Sequence, residues 1–262
     1  MPRDLDLKRR LELAGLTVTE VDGWQTRGKD AFDPRGSVHH HTAGPATGTQ
    51  PSLKTVINGR ADLPGPLCNV HGPREESLRV NLVAAGKANH AGKGGFKGLA
   101  GNASVWGLEE EHSGKAEEGI SELRLDRMAR VHAAFLFGTS DASMCCQHRE
   151  WAPTRKPDFV AALLDADEHR ARVQAHLDAM ANGGSPAPKI VEDSNMKIVN
   201  VTAGPFQGNA YVVGNGAPVH IPTPRQVEEL EALLGKASDM SDVAFDVLLA
   251  TGQAPKGGQP VG

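Results

Sequence analysis

The 262-residue sequence is poor in aromatic residues and cysteine, and it has no long apolar run. Phe, Trp and Tyr together make up 4% of the chain, with a single Tyr. The 3 cysteines, of which Cys145 and Cys146 are adjacent, do not form the disulfide framework of a small secreted domain. No stretch approaches the ~18 apolar residues that a transmembrane helix needs. These absences exclude a disulfide-stabilised scaffold and argue against membrane insertion.

An excess of positive charge is also missing. The 28 Lys and Arg residues are outnumbered by 32 Asp and Glu, giving a formal net charge of -4. A nucleic-acid partner is therefore not expected. Residues 1–16 carry charges throughout and lack the apolar core of a signal peptide, so we expect synthesis in the cytoplasm.

Two regions of different composition follow one another. Residues 1–181 mix strand-like alternation with helical periodicity, which predicts a mixed α/β domain. Residues 182–192, with Gly and Pro among small residues, are typical of a linker. Residues 193–262 contain short apolar runs separated by Gly and Asn, which predict strands. Residues 223–235 begin with Thr-Pro, a helix start signal, and end in Gly, so we expect a small β-rich α+β module.

The first region has two strong helical patterns and two segments without one. Apolar residues recur at helical spacing over 118–137 and again over 159–180, which predicts two helices facing a core. The Gly-rich segment 87–102 and the Pro-containing segment 145–159 are predicted as loops. Long loops of this kind in a compact domain often carry function.

Histidine and carboxylate residues with metal-ligand chemistry lie in a short strand-like stretch and in the second of these loops. The stretch 36–44 reads GSVHHHTAG, and alternation along a strand puts His39 and His41 on one side and His40 on the other. The loop 145–159 contributes His148 and, ten residues later, Asp158. A catalytic zinc ion typically takes three protein ligands of these types and keeps one open position.

Three motifs together resemble a known family: HHTA at 40–43, GLEEEHSG at 107–114 and HREWAPTRKPD at 148–158. They look like the zinc-dependent N-acetylmuramoyl-L-alanine amidases, the superfamily that includes peptidoglycan-recognition proteins and many phage endolysins. The third motif closely resembles the version found in lysins of actinobacterial phages. The resemblance covers about 15–165. It implies a central mixed β-sheet flanked by helices.

The resemblance also assigns roles to matching positions. The implied Zn²⁺ ligands are His40, His148 and Asp158. Lys156 corresponds to the residue that stabilises the oxyanion, and Glu109 to the catalytic carboxylate. Some members use a Tyr instead, but the only Tyr here lies in the second region.

The carboxylate assignment has an alternative within the same strand. Residues that alternate in an extended segment share a face, so Glu109 and Glu111 point the same way and Glu110 points away. Glu111 is therefore the alternative base. For substrate contacts we expect His90 and Asn89 in the Gly-rich loop, together with His41. His112 is expected to be exposed.

The predicted function is that of a peptidoglycan hydrolase, an endolysin that cleaves the amide bond between N-acetylmuramic acid and L-alanine. The partner is bacterial peptidoglycan, and the enzyme is expected to reach the wall after release from the host cytoplasm. Two alternatives stay open: a recognition protein that binds peptidoglycan without cleaving it, and a zinc peptidase that cuts the stem peptide. The module 193–262 is expected to bind the cell wall or to have a structural role.

Overall fold

The chain divides into two compact units, Met1–Lys189 and Ile190–Gly262. The computed structural model describes residues 3–183 and, beyond them, four short strands. Among the described residues, no helix has the length and apolar character to cross a membrane.

The first unit is built on a six-stranded mixed sheet. Only one neighbouring pair within it, the fifth and sixth strands of the chain, runs antiparallel; the other pairs are parallel. In spatial order the strands are β1 (Thr17–Glu20), β6 (Arg79–Leu82), β5 (Val70–Gly72), β9 (Val105–Glu110), β2 (Gly36–His41) and β10 (Cys145–Gln147). This mixed α/β architecture, with helices around a central mixed sheet, confirms the predicted fold class.

The helices cover both faces of the sheet. One large core joins the sheet to three of them, α1 (Leu7–Leu13), α3 (Glu122–Leu136) and α5 (Ala166–Ala181). Two smaller cores hold α2 (Leu53–Asn58) and α4 (His148–Trp151). Trp106 lies in the large core and Val105 in a smaller one, as the alternation of a strand between two faces requires.

Side-chain caps explain where the two long helices begin. Ser121 accepts a hydrogen bond from the Arg124 backbone amide, and α3 starts at the next residue. Asp165 accepts from the amides of Asp167 and Glu168 at 2.9 Å each, so α5 starts at Ala166. The predicted helix over 159–180 began too early because the apolar pattern continues through the turns that precede this cap.

The two predicted loops contain more regular structure than the sequence indicates. Segment 145–159 opens with β10 and α4, and segment 87–102 contains a hairpin of β7 (Gly95–Phe96) and β8 (Leu99–Ala100). A further small hairpin joins β3 (Gly59–Arg60) to β4 (Leu63–Pro64). Elements of two to four residues are too short to produce a detectable period.

The described part of the second unit is a four-stranded sheet. Its strands are β11 (Lys197–Val201), β12 (Ala210–Val213), β13 (Val219–Ile221) and β14 (Ser238–Met240). The first three match the strands that the apolar runs predict. The helix expected at 223–235 and nearly all of the predicted linker lie outside the described residues.

Candidate active site

Three parallel strands bring the candidate residues together at their carboxyl ends. His40 on β2 is in register with Glu109 on β9. Gln147, the last residue of β10, is in register with His39, so His148 follows beside His40. Side chains in register on neighbouring parallel strands point to the same face. Ligand sites are common at this edge of parallel sheets.

The predicted metal donors converge. His40 Nδ1 lies 2.7 Å from His148 Nδ1. Asp158 Oδ2 lies 3.0 Å from His148 Nδ1 and 3.5 Å from His40 Nδ1. All three side chains are buried. The loop after α4 returns Asp158 to this position, and the Arg149 amide donates to its backbone carbonyl at 2.6 Å.

Hydrogen bonds behind the two imidazoles determine which nitrogen faces the site. His148 Nε2 lies 3.0 Å from the Ala91 carbonyl and must donate to it, which leaves the lone pair on Nδ1. His90 Nε2 faces the Val105 carbonyl at 3.2 Å, so its Nδ1 accepts from His40 Nε2 at 2.9 Å. The lone pair of His40 is therefore also on Nδ1.

This arrangement fits a divalent metal ion. With both rings in these tautomers, two imidazole lone pairs and a carboxylate oxygen face one another, an arrangement that a bound cation stabilises. Burial lowers the pKa of His40 to about 4, so the ring is neutral and able to bind a metal at neutral pH. Burial by itself raises the pKa of Asp158, but its close contacts with His148 and His40 outweigh burial and hold this pKa well below its usual range, so the carboxylate is ionised. Two histidines and one carboxylate are ligands that zinc accepts.

The carboxylates of β9 and the residue after it have different surroundings. Glu109 lines the pocket, and its buried Oε2 has no partner among the described residues. Burial, assisted by the charge of Asp158, raises the pKa of Glu109 to about 8. Glu110 points to the opposite face, where it pairs with Arg124 at 2.9 Å and Arg127 at 2.6 Å.

Glu111 is occupied by hydrogen bonds. It accepts from the Ser52 amide at 2.6 Å, the Thr42 hydroxyl at 3.0 Å and His71 Nε2 at 3.1 Å. Burial raises the pKa of Glu111, but these bonds outweigh it and lower that pKa below its usual value. Glu109 and Glu111 were both candidates for the catalytic base. Of the two, Glu109 is the one that is free to exchange a proton in the pocket.

The three candidate metal ligands line a cavity of about 320 Å³. Lys156, Arg155 and Arg60 are the cationic side chains in its lining, and Leu63 and Leu67 contribute apolar surface. Arg155 donates to the Lys93 carbonyl at 2.7 Å, which attaches the Lys156 segment to the Gly-rich loop. Arg60, Leu63 and Leu67 are absent from the sequence predictions because α2 and the β3–β4 hairpin carry no motif.

The three predicted substrate contacts all border this cavity. Asn89 is half-buried and donates to the Pro64 carbonyl at 2.8 Å. His90 is 9% exposed, and both its ring nitrogens are used within the protein, towards His40 and the Val105 carbonyl. His41 is half-buried, and its Nδ1 has no partner among the described residues. Their binding of substrate stays a prediction.

The burial of His112 differs from the prediction, and the contact that His90 makes with His40 was not predicted. His112 is fully buried, not exposed, because its Nε2 donates to the Gly119 carbonyl at 3.0 Å and its ring packs near Phe159. The positioning role of His90 was missed, since nothing in a Gly-rich loop indicates a bond to a strand 50 residues away. Gly107 leaves room for that ring: a Cβ there would lie 2.5 Å from His90 Cγ.

No protein-family model and no curated protein matches the sequence. Among solved structures, the chain is similar to a selenomethionine derivative of AmpD, with 18% identity, 60% of this chain and 94% of that one covered, and a TM-score of 0.45. It is similar to Staphylococcus aureus AmiA in complex with its ligand, with 11% identity, 71% and 100% covered, and a TM-score of 0.46. A third is the N-acetylmuramyl-L-alanine amidase AmiD from E. coli in complex with its substrate, with 18% identity, 56% and 61% covered, and a TM-score of 0.40.

Proposed function

We propose that the first unit is a zinc-dependent N-acetylmuramoyl-L-alanine amidase that hydrolyses peptidoglycan. One observation carries the proposal: His40, His148 and Asp158 direct three donor atoms to one point, beside Glu109 and in a pocket that Lys156 lines. This combination favours an enzyme over a protein that only binds peptidoglycan.

His40 Nδ1, His148 Nδ1 and Asp158 Oδ2 would hold the zinc ion. When bound, zinc supplies Lewis acidity and lowers the pKa of a water molecule from near 16 to about 7. The chain's own residues orient the ligands. The Ala91 carbonyl and His90 fix the two imidazole rings from behind, and such partners typically strengthen metal binding.

Glu109 is suited to move the proton. Its pKa of about 8 keeps both protonation states accessible near neutral pH. The carboxylate accepts a proton from the attacking water as the carbon–oxygen bond forms. It then delivers that proton to the leaving nitrogen of L-alanine when the amide bond breaks.

Lys156 is suited to stabilise the oxyanion. The scissile carbonyl oxygen gains negative charge during the attack, and a fixed ammonium group in the same pocket offsets it. The additional cations Arg60 and Arg155 suit a muramyl-peptide, whose stem carries carboxylates. Together with the HHTA and HREWAPTRKPD motifs, this favours peptidoglycan over a neutral amide substrate.

We propose further that the protein acts as an endolysin, made in the cytoplasm of the host and active on its wall after release. The resemblance of residues 148–158 to phage lysins supports this role.

Digestion of purified cell walls tests the proposed reaction. The protein should release fragments with new L-alanine amino termini and an intact glycan, and a chelator should stop the reaction. New reducing sugars would overturn the proposal. Cleavage within the stem peptide would favour the peptidase, and zinc-loaded protein that binds walls without cutting them would favour the recognition protein.

A further inference from the structure

A second cluster of three histidines lies on the other face of β2. It consists of His39 from β2, His132 from α3 and His169 from α5. Their side chains are buried, with exposures of 0%, 0% and 2%. The resemblance to amidases assigns no role to any of them. We call this set the inner cluster.

The inner cluster has the dimensions of a metal site. One nitrogen from each ring lies within 4.8 Å of the others. His39 Nδ1 and His132 Nε2 are 3.3 Å apart, which is long for a hydrogen bond. It equals the separation of about 3.3–3.4 Å between two imidazole nitrogens bound ~2.0–2.1 Å from a tetrahedral zinc ion. The His169 nitrogen, within 4.8 Å of the other two, needs to approach by at most about 1.5 Å to complete this geometry.

The rings are oriented for this role. The Ser37 hydroxyl lies 2.9 Å from His132 Nδ1, which directs His132 Nε2 into the cluster. A hydrogen-bonded outer nitrogen is the usual arrangement for a histidine that binds metal through the other one. The His169 ring stands edge-on to both neighbours, with ring centroids 5.4 Å from His39 and 5.3 Å from His132.

Packing alone does not account for the inner cluster. Both nitrogens of His169 and Nε2 of His39 are buried without a hydrogen-bond partner among the described residues. An imidazole N–H or lone pair left in this state destabilises a fold, because it loses its hydrogen bond to water and gains none in return. Leucine or phenylalanine would fill the same space without that cost. A bound cation uses these lone pairs.

We propose that the inner cluster is a second, structural metal site that binds a divalent transition ion such as zinc through His39, His132 and His169. Three imidazoles suit zinc, copper, iron or nickel rather than magnesium or calcium. A water molecule or small anion would complete the coordination. The ion would hold β2 against α3 and α5, and it would do so directly behind His40.

Metal stoichiometry tests the proposal without reference to activity. Full-length protein is stripped with a chelator, reloaded with zinc, freed of excess and analysed by native mass spectrometry and elemental analysis. Wild-type protein should hold two zinc ions. H169Q and H132Q should hold one, H40A should hold one, and H40A combined with H169Q should hold none.

His176→Gln is the matched control for His169→Gln. His176 lies on the same helix and is also buried, but it pairs with Asp126 at 2.8 Å and belongs to neither cluster. H176Q should keep both ions. A single zinc ion in the wild type, unchanged by H169Q, would overturn the proposal.

X-ray absorption of zinc-loaded wild-type protein keeps the question answerable if the variants fail to fold. Two sites predict more than two imidazoles per zinc on average, because the inner cluster contributes three. A spectrum that fits two imidazoles and one carboxylate per zinc would contradict a second site.

Discussion

The two histidine clusters on β2 contain the same kind of side chain in different surroundings. His40 joins His148 and Asp158 in a cavity that also holds Glu109 and Lys156. His39, the preceding residue, points to the opposite face and meets His132 and His169 in the core. The first cluster includes a carboxylate, lies beside a second carboxylate and opens into a cavity. The second cluster is buried, and among the described residues it consists of histidines alone.

This difference shows what separates a reactive centre from a structural one. Both faces present imidazoles that could bind a metal ion, so the histidines alone do not decide the chemistry that we propose for each. The carboxylate of Glu109, which keeps a free oxygen in the pocket, makes acid–base catalysis possible on one face only. Phe159 contacts His39, with ring centroids 5.0 Å apart, and adjoins Asp158, so the two clusters share β2 and this loop.

Replacing a ligand should separate the clusters most strongly. His40→Ala or Asp158→Asn should lower amidase activity by about 10³-fold or more, because Lewis-acid stabilisation is worth several kcal/mol. His169→Gln should leave most of the activity in place. Turnover of purified walls, measured beside zinc content, checks both. A His40→Ala protein that keeps full activity would contradict the assignment of the reactive face.

Glu109→Gln should lower kcat by about 10²–10⁴-fold without loss of zinc, since it removes the proton carrier and spares the ligands. Glu111→Gln is the matched variant two residues along the chain, and its hydrogen bonds predict an effect on folding stability more than on kcat. A larger loss of kcat in folded E111Q than in E109Q would reverse the assignment.

Lys156→Met should lower kcat by about 10²–10³-fold, the usual effect of removing one oxyanion donor. KM should change less, because the charge that Lys156 offsets develops only in the transition state. Steady-state kinetics on a soluble muramyl-peptide separates the two constants. An increase in KM with unchanged kcat would make Lys156 a substrate-binding residue instead.

Gly107→Ala should weaken the site by displacing His90, because a Cβ at this position would lie 2.5 Å from the His90 ring. We expect zinc affinity or activity to fall about 10–100-fold, as for other residues that orient a metal ligand. Competition with a chelator measures the affinity. His90→Gln should show the same loss, and an unchanged zinc affinity in both variants would remove His90 from the positioning role.

Breaking the ion pair between Arg74 and Glu118, which are 2.8 Å apart and outside both clusters, should have the smallest effect of these changes. Burial raises the pKa of Glu118, but hydrogen bonds from Ser113 and Arg74 outweigh it and lower this pKa to about 2. Because the folded-state pKa is depressed, the stabilisation is present above about pH 4.5 and is lost as the pH falls towards 2. Glu118→Gln should therefore lower the free energy of unfolding by about 1 kcal/mol at pH 7 and by almost nothing near pH 2.

Chemical denaturation at the two pH values measures this pair. The exposed neighbour provides the control, since Glu117→Gln should change stability by less than about 0.5 kcal/mol. Equal losses at both pH values would show that the contribution of Glu118 is not electrostatic.

Residues in distinctive motifs could be predicted from the sequence. His40, His148 and Asp158 lie in short stretches with unusual composition, and the structure places their donor atoms together. Strand alternation separated Glu109 and Glu111 from Glu110, as observed. It did not choose between the first two, because that choice depends on the contacts that Thr42, Ser52 and His71 make with Glu111.

Partners that meet only through tertiary packing could not be predicted. His132 and His169 lie within helices where a single histidine carries no signal, and only the packing of α3 on α5 brings them to His39. His90 and His112 likewise depend on loops that fold back on a strand or a turn. The start of α5 depended on one capping carboxylate, Asp165, in a continuous apolar pattern.

Hydrolysis in ¹⁸O-enriched water tests the central claim most directly. The proposed reaction places the oxygen of water on the carbonyl carbon that leaves L-alanine, which is the lactyl carboxyl of N-acetylmuramic acid. Wild-type protein should therefore release muramic acid with a labelled lactyl carboxylate and an unlabelled stem peptide, and E109Q should release almost none. Label in the stem peptide instead, or unchanged release by E109Q, would contradict the account.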